Sequence, residues 1–169
     1  MNDYSHLGYR PCVGIMVLNA DNKVWAGRRI SETNTEYSGS QKRWQMPQGG
    51  IDEGEDPQLA SLRELYEETG INDVTLLAHT DDWLKYDLPK DMIGSGLRGK
   101  WRGQKQMWFA YRFNGRDEDV AINPPPDGNS AEFDDWRWED MHRLPELIVD
   151  FKREIYQQVV AQFAYLANT

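Results

Sequence analysis

A single cysteine, Cys12, excludes an internal disulfide, and a lone thiol fits a reducing compartment. Beside apolar Val13 it reads as a small core hydrophobe rather than a reactive group. No apolar run approaches the roughly 18 residues that a membrane-crossing helix requires, and the polar opening MNDYSH lacks a secretory hydrophobic region. These absences predict a soluble, cytoplasmic protein with no membrane partner. Positive charge is also short: 19 Lys and Arg face 28 Asp and Glu, for a net charge of -9. Duplex DNA is therefore a poor partner, because neutralising phosphates supplies most non-specific affinity for nucleic acid. A substrate presenting only a few phosphates remains allowed.

The chain has 169 residues, 39% hydrophobic and 12% aromatic, which suits one domain over 1–169 with a sizeable core. Its most informative stretch is 49–71, GGIDEGEDPQLASLRELYEETGI. Asp56 can cap a helix, Pro57 suits its first turn and Gly70 is placed to end it, so the helix is expected from Pro57 to about Thr69. With Glu64 set at zero, about 100° per residue puts Glu67 near 300° and Glu68 near 40°. Leu65, Thr69, Leu62, Tyr66 and Leu59 fall on the other side as a mostly apolar stripe, which predicts one packed face and one acidic face.

Like charges so close on a helix repel, so a cation is expected against them. A solvated acidic face served by Arg63 and counterions is one reading. The other is a hard divalent cation, because carboxylate oxygens suit Mg²⁺ or Mn²⁺ and Mg²⁺ recruits phosphate oxygens. The preceding WQMPQGGIDEG favours the second: glycines let backbone approach a ligand closely, and a carbonyl near Gln48 or Gly49 is placed to join the metal shell.

Gly49, Glu55, Arg63, Glu64, Leu65, Glu67, Glu68, Gly70 and Ile71 stand at every defined position of the Nudix box, which this stretch resembles. The resemblance implies that Glu64, Glu67 and Glu68 bind catalytic metal, Mg²⁺ with Mn²⁺ as the other suitable ion, while Glu55 and Arg63 pair to brace loop against helix. The implied reaction is hydrolysis of a nucleoside diphosphate linked to another group, in which metal neutralises polyphosphate charge and readies water for in-line attack on phosphorus.

The remaining pattern is coarse. Tyr9 to Asn19 reads as a strand, with Lys23 to Arg29 as its hairpin partner. Val74 to Ala78, Trp83 to Leu88 and Gln106 to Asn114 read as further strands, and Trp136 to Trp138 as a short edge piece. Pro145 to Ala167 carries apolar residues at helical spacing, and 117–132 reads as a surface loop. Leu97 to Met107 gathers Arg98, Lys100, Arg102 and Lys105 around Trp101, either a mobile basic loop or a phosphate-facing rim with an aromatic platform. Strands flanking two main helices suggest an α/β/α sandwich on a mixed central sheet, the Nudix fold by resemblance.

GYRP at 8–11, GRR at 27–29, WLKYDLP at 83–89, GQKQMWF at 103–109, EFDDWRW at 132–138 and DFKREIY at 150–156 together resemble bacterial RNA 5′-pyrophosphohydrolases and, equally, plant-type diadenosine tetraphosphate hydrolases. The likeness runs from about Tyr9 to Phe163. It implies that Arg10 and Arg29 grip phosphates, that Tyr86, Lys105 and Lys152 meet the substrate, and that Phe151 stacks on the terminal base. Glu132 would bind metal or act as general base, a role for which Glu67 and Glu68 compete. The favoured substrate is a triphosphorylated RNA 5′ end, and the alternative is asymmetric cleavage of diadenosine tetraphosphate to ATP and AMP. The longer stretch 30–43 and GSGLRGKWRG at 94–103 lean toward the alternative. A catalytically silent nucleotide sensor would be expected to lose box glutamates, and all are present.

Overall fold

The computed structural model describes residues 4–30, 42–94 and 96–168. Strand β1 (Gly8–Leu18) sends Val13, Ile15 and Val17 to one side and Met16 and Leu18 to the other, and all five are buried. A strand apolar on both faces belongs inside a sheet covered on both sides. It runs parallel to the long strand Trp101–Phe113, with pairing from Gly8↔Trp101 to Leu18↔Arg112. In chain order the other strands are β2 (Val24–Arg29), β3 (Trp44–Gln45), β4 (Gln48–Gly50), β5 (Val74–His79) and β6 (Leu84–Asp87). The long strand Trp101–Phe113 is β7, and β8 is Phe133–Glu139. The order β3-β2-β1-β7-β5 forms the spine, with β4 on β1, β6 on β7 and β8 on β2. All pairings but β1 with β7 are antiparallel, so the eight-stranded sheet is mixed.

Helix α1 (Pro57–Thr69) covers one face, where Leu65 joins Val13, Ile15 and Tyr111. Helices α2 (Leu144–Leu147) and α3 (Arg153–Phe163) cover the other, where Ile155, Tyr156, Val159 and Phe163 pack on Met16 and Trp108. Tyr156 accepts a hydrogen bond from the Met46 amide at 2.9 Å and meets Trp108 edge-on. This is the α/β/α sandwich expected. Cys12 is buried and in no disulfide, and among the described residues no helix is long and apolar enough to cross a membrane.

Several expectations change. The β1–β2 hairpin closes with Leu18↔Val24 and then opens, because β4 takes the Cys12–Gly14 stretch of β1 while β2 turns to β3 and β8. Strand β8 is correspondingly longer than the edge piece predicted. The helix expected from Pro145 is broken: Ile148 is extended (φ -90°, ψ 154°) and inserts into the core before α3 begins. Most of the predicted basic loop is strand, since β7 already starts at Trp101. The Arg98 side chain and 31–41 of the long 30–43 stretch lie outside the described residues.

The helix ends match the sequence. Asp56 accepts from the Leu59 amide at 3.1 Å, and Gly70 adopts φ 74°, a conformation costly for any residue with a Cβ. The packed face matches only in part, with Leu65 and Thr69 buried and Leu62 against the core as expected. Leu59 is 61% exposed, whereas Ala60, Ser61, Leu65, Glu68 and Thr69 are buried. The helix is thus rotated so that Glu64 and Glu68 face the sheet. Ser61 compensates its burial by hydrogen bonding Tyr111 at 2.5 Å.

Candidate active site

Rotation of α1 presses Glu64 against β4. A Cβ on Gly49 would fall inside the Glu64 carboxyl group, so this approach of helix to strand needs glycine there. Beside them opens a cleft of about 250 Å³ lined by Glu64, Glu68 and Glu132 together with Arg10, Arg29 and Gln48. Carboxylates and guanidinium groups thus face a common space sized for a polyphosphate.

Arg63 anchors the helix side. Its Nε and Nη2 donate to the two Glu55 carboxylate oxygens at 2.8 Å each, and Nη2 also donates to the Gly50 carbonyl at 2.9 Å. Its Nη1 reaches Glu64 Oε1 at 2.9 Å and Glu67 Oε2 at 3.2 Å. Bidentate, charge-assisted contacts of this kind are the strong ones. With the Asp52 amide donating as well, they hold the Glu55 carboxyl at about 2.

The cleft acids shift the opposite way. Burial raises Glu64, against the pull of Arg63. Burial raises Glu68 further, and the neighbouring Glu64 and Glu132 add to it, while Arg29 and the Gln48 amide oppose it. Among the described residues Glu68 Oε2 is buried without a hydrogen-bond donor. An orphaned carboxylate oxygen beside a second carboxylate is costly unless a cation arrives. This donor set of hard oxygens fits Mg²⁺ or Mn²⁺. Among the described residues no three acidic, His or Cys side chains yet converge into a cage. Arginines occupy them instead: Arg63 holds Glu64 and Glu67, and Arg29 Nη1 holds Glu132 Oε2 at 2.8 Å.

The model of the NUDIX domain matches residues 8–159. The chain belongs to the Nudix family. Over 96% of its length it is 63% identical to the RNA pyrophosphohydrolase of Agrobacterium fabrum (strain C58 / ATCC 33970), of which 95% is covered. Over 96% it is 61% identical to the RNA pyrophosphohydrolase of Rhizobium meliloti (strain 1021), of which 97% is covered. A Caenorhabditis elegans (C. elegans) Ap4A hydrolase binary complex superposes with a TM-score of 0.63 at 20% identity, covering 95% of this chain and 99% of that one, a likeness of fold.

Within this Nudix hydrolase the remaining predicted residues divide. Glu67 does not line the cleft; it sits at the Arg63 side with about a third of its side chain exposed. Tyr86, Phe151 and Lys152 form a separate cluster, with the two rings 5.9 Å apart and Lys152 Nζ 5.7 and 5.8 Å from their centres. Tyr86 is opposite Gln104, which does line the cleft, so the cluster adjoins it through one strand. Lys105 lies on the other sheet face, over Trp83 at 4.6 Å. The strand pairing also reveals residues that the sequence reading missed. Gln106 donates to Gln104 at 2.8 Å and to Gln48 at 3.4 Å, while accepting from Trp108 Nε1 at 2.9 Å. The signal was available: Gln104 and Gln106 alternate with Trp108 on an inward-facing strand side, where an apolar residue is the default.

Proposed function

We infer that this Nudix hydrolase converts triphosphorylated RNA 5′ ends to monophosphorylated ones in the cytoplasm, with Mg²⁺, or Mn²⁺ in its place, held by Glu64 and Glu68. The observation that carries the reading is the cleft in which two arginines, Arg10 and Arg29, face three carboxylates. Its support in kind is the roughly 60% identity to proteins named RNA pyrophosphohydrolase. When bound, the metal supplies charge neutralisation on the phosphates and an activated water.

The chain's own residues account for the rest. Arg10 and Arg29 hold nonbridging phosphate oxygens, a role suited to the planar guanidinium fork. Arg29 spends Nη1 on Glu132, and an arriving phosphate that draws the guanidinium toward itself breaks that contact. Substrate binding therefore frees Glu132 Oε2, which accepts the proton of the attacking water. Water oxygen bonds to phosphorus, the anhydride P–O bond breaks, pyrophosphate leaves and the RNA keeps one phosphate. Glu132 takes this role over Glu67 because it lines the cleft, whereas Glu67 is tied to Arg63 outside it.

The test is competition in one tube between 5′-triphosphorylated RNA and diadenosine tetraphosphate, comparing kcat/KM. A higher value for RNA, with pyrophosphate released, is expected. Preference for the dinucleotide, giving ATP and AMP, overturns the reading.

A further inference from the structure

Gln104, Gln106 and Trp108 stand on one side of β7, beside Arg10, Cys12 and Gly14 of β1. All three are buried. Two amides in such positions are costly unless their hydrogen bonds are made, and here the bonds run in one direction. An indole N–H only donates. Trp108 Nε1, 2.9 Å from Gln106 Oε1, therefore fixes that amide with its carbonyl end toward the ring. The other end of Gln106 carries two hydrogens and has two acceptors, Gln104 Oε1 at 2.8 Å and Gln48 Oε1 at 3.4 Å. With its carbonyl turned inward, Gln104 is left with Nε2, which meets no acceptor among the described residues. Gln104 lines the cleft next to Arg10, its partner across the strands.

The ring that sets this polarity is itself held. A Cβ on Gly14 would fall inside the Trp108 indole, so the ring lies across the backbone of β1, and Tyr156 meets it edge-on with 5.7 Å between centres. Trp108 has no exposed surface. A flip of Gln106 would set two donors, Trp108 Nε1 and Gln106 Nε2, against each other, and a flip of Gln104 would do the same one step along.

We propose that Gln104 is a phosphate-binding residue whose donor is aimed into the cleft by Gln106 and Trp108, two positioning residues that touch no substrate. This role rests on a polyphosphate being the substrate. An amide gives such a ligand a hydrogen bond without adding another cation to compete with metal for Glu64 and Glu68. Because the chain of bonds holds Nε2 in place before the substrate arrives, no reorientation is needed on binding. The reversed chain would turn the Gln104 carbonyl toward the phosphate oxygens and repel them.

The test measures binding, by calorimetry in Mg²⁺, of a 5′-triphosphorylated RNA dinucleotide with methylene groups in place of both anhydride oxygens, which is bound without turnover. Gln104→Leu should weaken it about 10- to 150-fold, the scale of a hydrogen bond to a charged group. Gln106 does not line the cleft, yet Gln106→Met should weaken binding about 2- to 12-fold, the scale of a neutral hydrogen bond. Trp108→Phe, which keeps a ring and loses the donor, should do the same. In the Gln104→Leu background each of these two changes should cost less than about twofold, because a residue acting through Gln104 has nothing left to aim. Unchanged affinity in Gln104→Leu overturns the phosphate contact. Losses from Gln106→Met and Trp108→Phe that are as large without Gln104 as with it mark a packing role and overturn the positioning. Failure of wild type to release pyrophosphate from triphosphorylated RNA instead refutes the activity, and leaves these binding results legible on their own.

Discussion

Replacing Glu68 by Gln should make the metal-free protein more stable while nearly abolishing turnover. Glu68 is buried, its Oε2 lacks a donor among the described residues, and Glu64 and Glu132 repel its charge. The amide keeps the shape and removes the charge. Relief of a buried, imperfectly paired polar group is worth about 1–3 kcal/mol. For a chain of this size that corresponds to a rise in Tm of roughly 2–12 °C. The pH dependence gives the sign. Glu68 has a folded-state pKa above its ordinary value of 4.5, so the folded state binds the proton more tightly than the unfolded one. Wild type therefore loses stability as pH rises through that window and regains it on acidification toward 4.5. Thermal melts in EDTA should show the variant's lead growing as pH rises and closing as it falls back toward 4.5. Mg²⁺ should raise the wild-type Tm more than that of the variant, because it binds the native state. Turnover at saturating Mg²⁺ should fall about 100- to 1000-fold, the scale of losing one electrostatic contact to developing charge. A variant no more stable than wild type in EDTA at high pH, or a gap independent of pH, refutes the charge-burial reasoning. Near-normal turnover refutes the ligand assignment.

Arg29→Ala should raise KM more than it lowers kcat, because its phosphate contact is made in ground and transition states alike; steady-state kinetics on triphosphorylated RNA that show an effect confined to kcat would contradict this. Gly49→Ala drives a methyl group into the Glu64 carboxyl, so the Mg²⁺ concentration for half-maximal rate should rise about 10- to 100-fold, and an unchanged Mg²⁺ titration would show that the close approach is dispensable. Glu55, held at about 2 by Arg63 and the Asp52 amide, contributes stability that is present above 4.5 and lost as pH falls toward 2. Melts of Glu55→Gln should accordingly decline less between those values than wild type, and parallel curves would remove the pair from the acid limb.

The parts of this molecule written locally could be read from sequence. Asp56, Pro57 and Gly70 mark the ends of α1 because capping and positive φ are decided within a few residues. Glu64 and Glu68 were legible for the same reason, as spacings along one helix, whereas the same spacing also included Glu67, which lies outside the cleft, and Glu132 comes from beyond the helix altogether. What the helix faces was not legible. Periodicity put Leu59 in the packed stripe, but Gly49 lets Glu64 move close to β4 and rotates the helix, leaving Leu59 exposed and Glu68 buried. The place of Lys105 was illegible too. Strand alternation separates it from Gln104 and Gln106, and the register that fixes this comes from pairing with β1 and β6, far away in sequence.

The two arginines that stand against the acids differ in what they lose when a cation or phosphate arrives. Arg63 spends Nε and Nη2 on Glu55 and the Gly50 carbonyl and only Nη1 on Glu64 and Glu67. Withdrawal of Glu64 to a metal leaves it with its bidentate partner, so the brace survives the exchange at little cost. Arg29 meets Glu132 across the mouth of the cleft, and a phosphate that takes its guanidinium replaces one anion by another. The guanidinium stays paired while the carboxylate is released. The phosphate adds negative charge to a cleft that still holds Glu132, which a bound cation offsets, and the group set free is the carboxylate placed to take a proton. Glu132→Gln should then lower kcat while leaving the affinity for a 5′-triphosphate within a few-fold, because the amide oxygen can still accept from Arg29 but cannot hold the proton. A loss of affinity with kcat retained would instead place Glu132 in substrate binding.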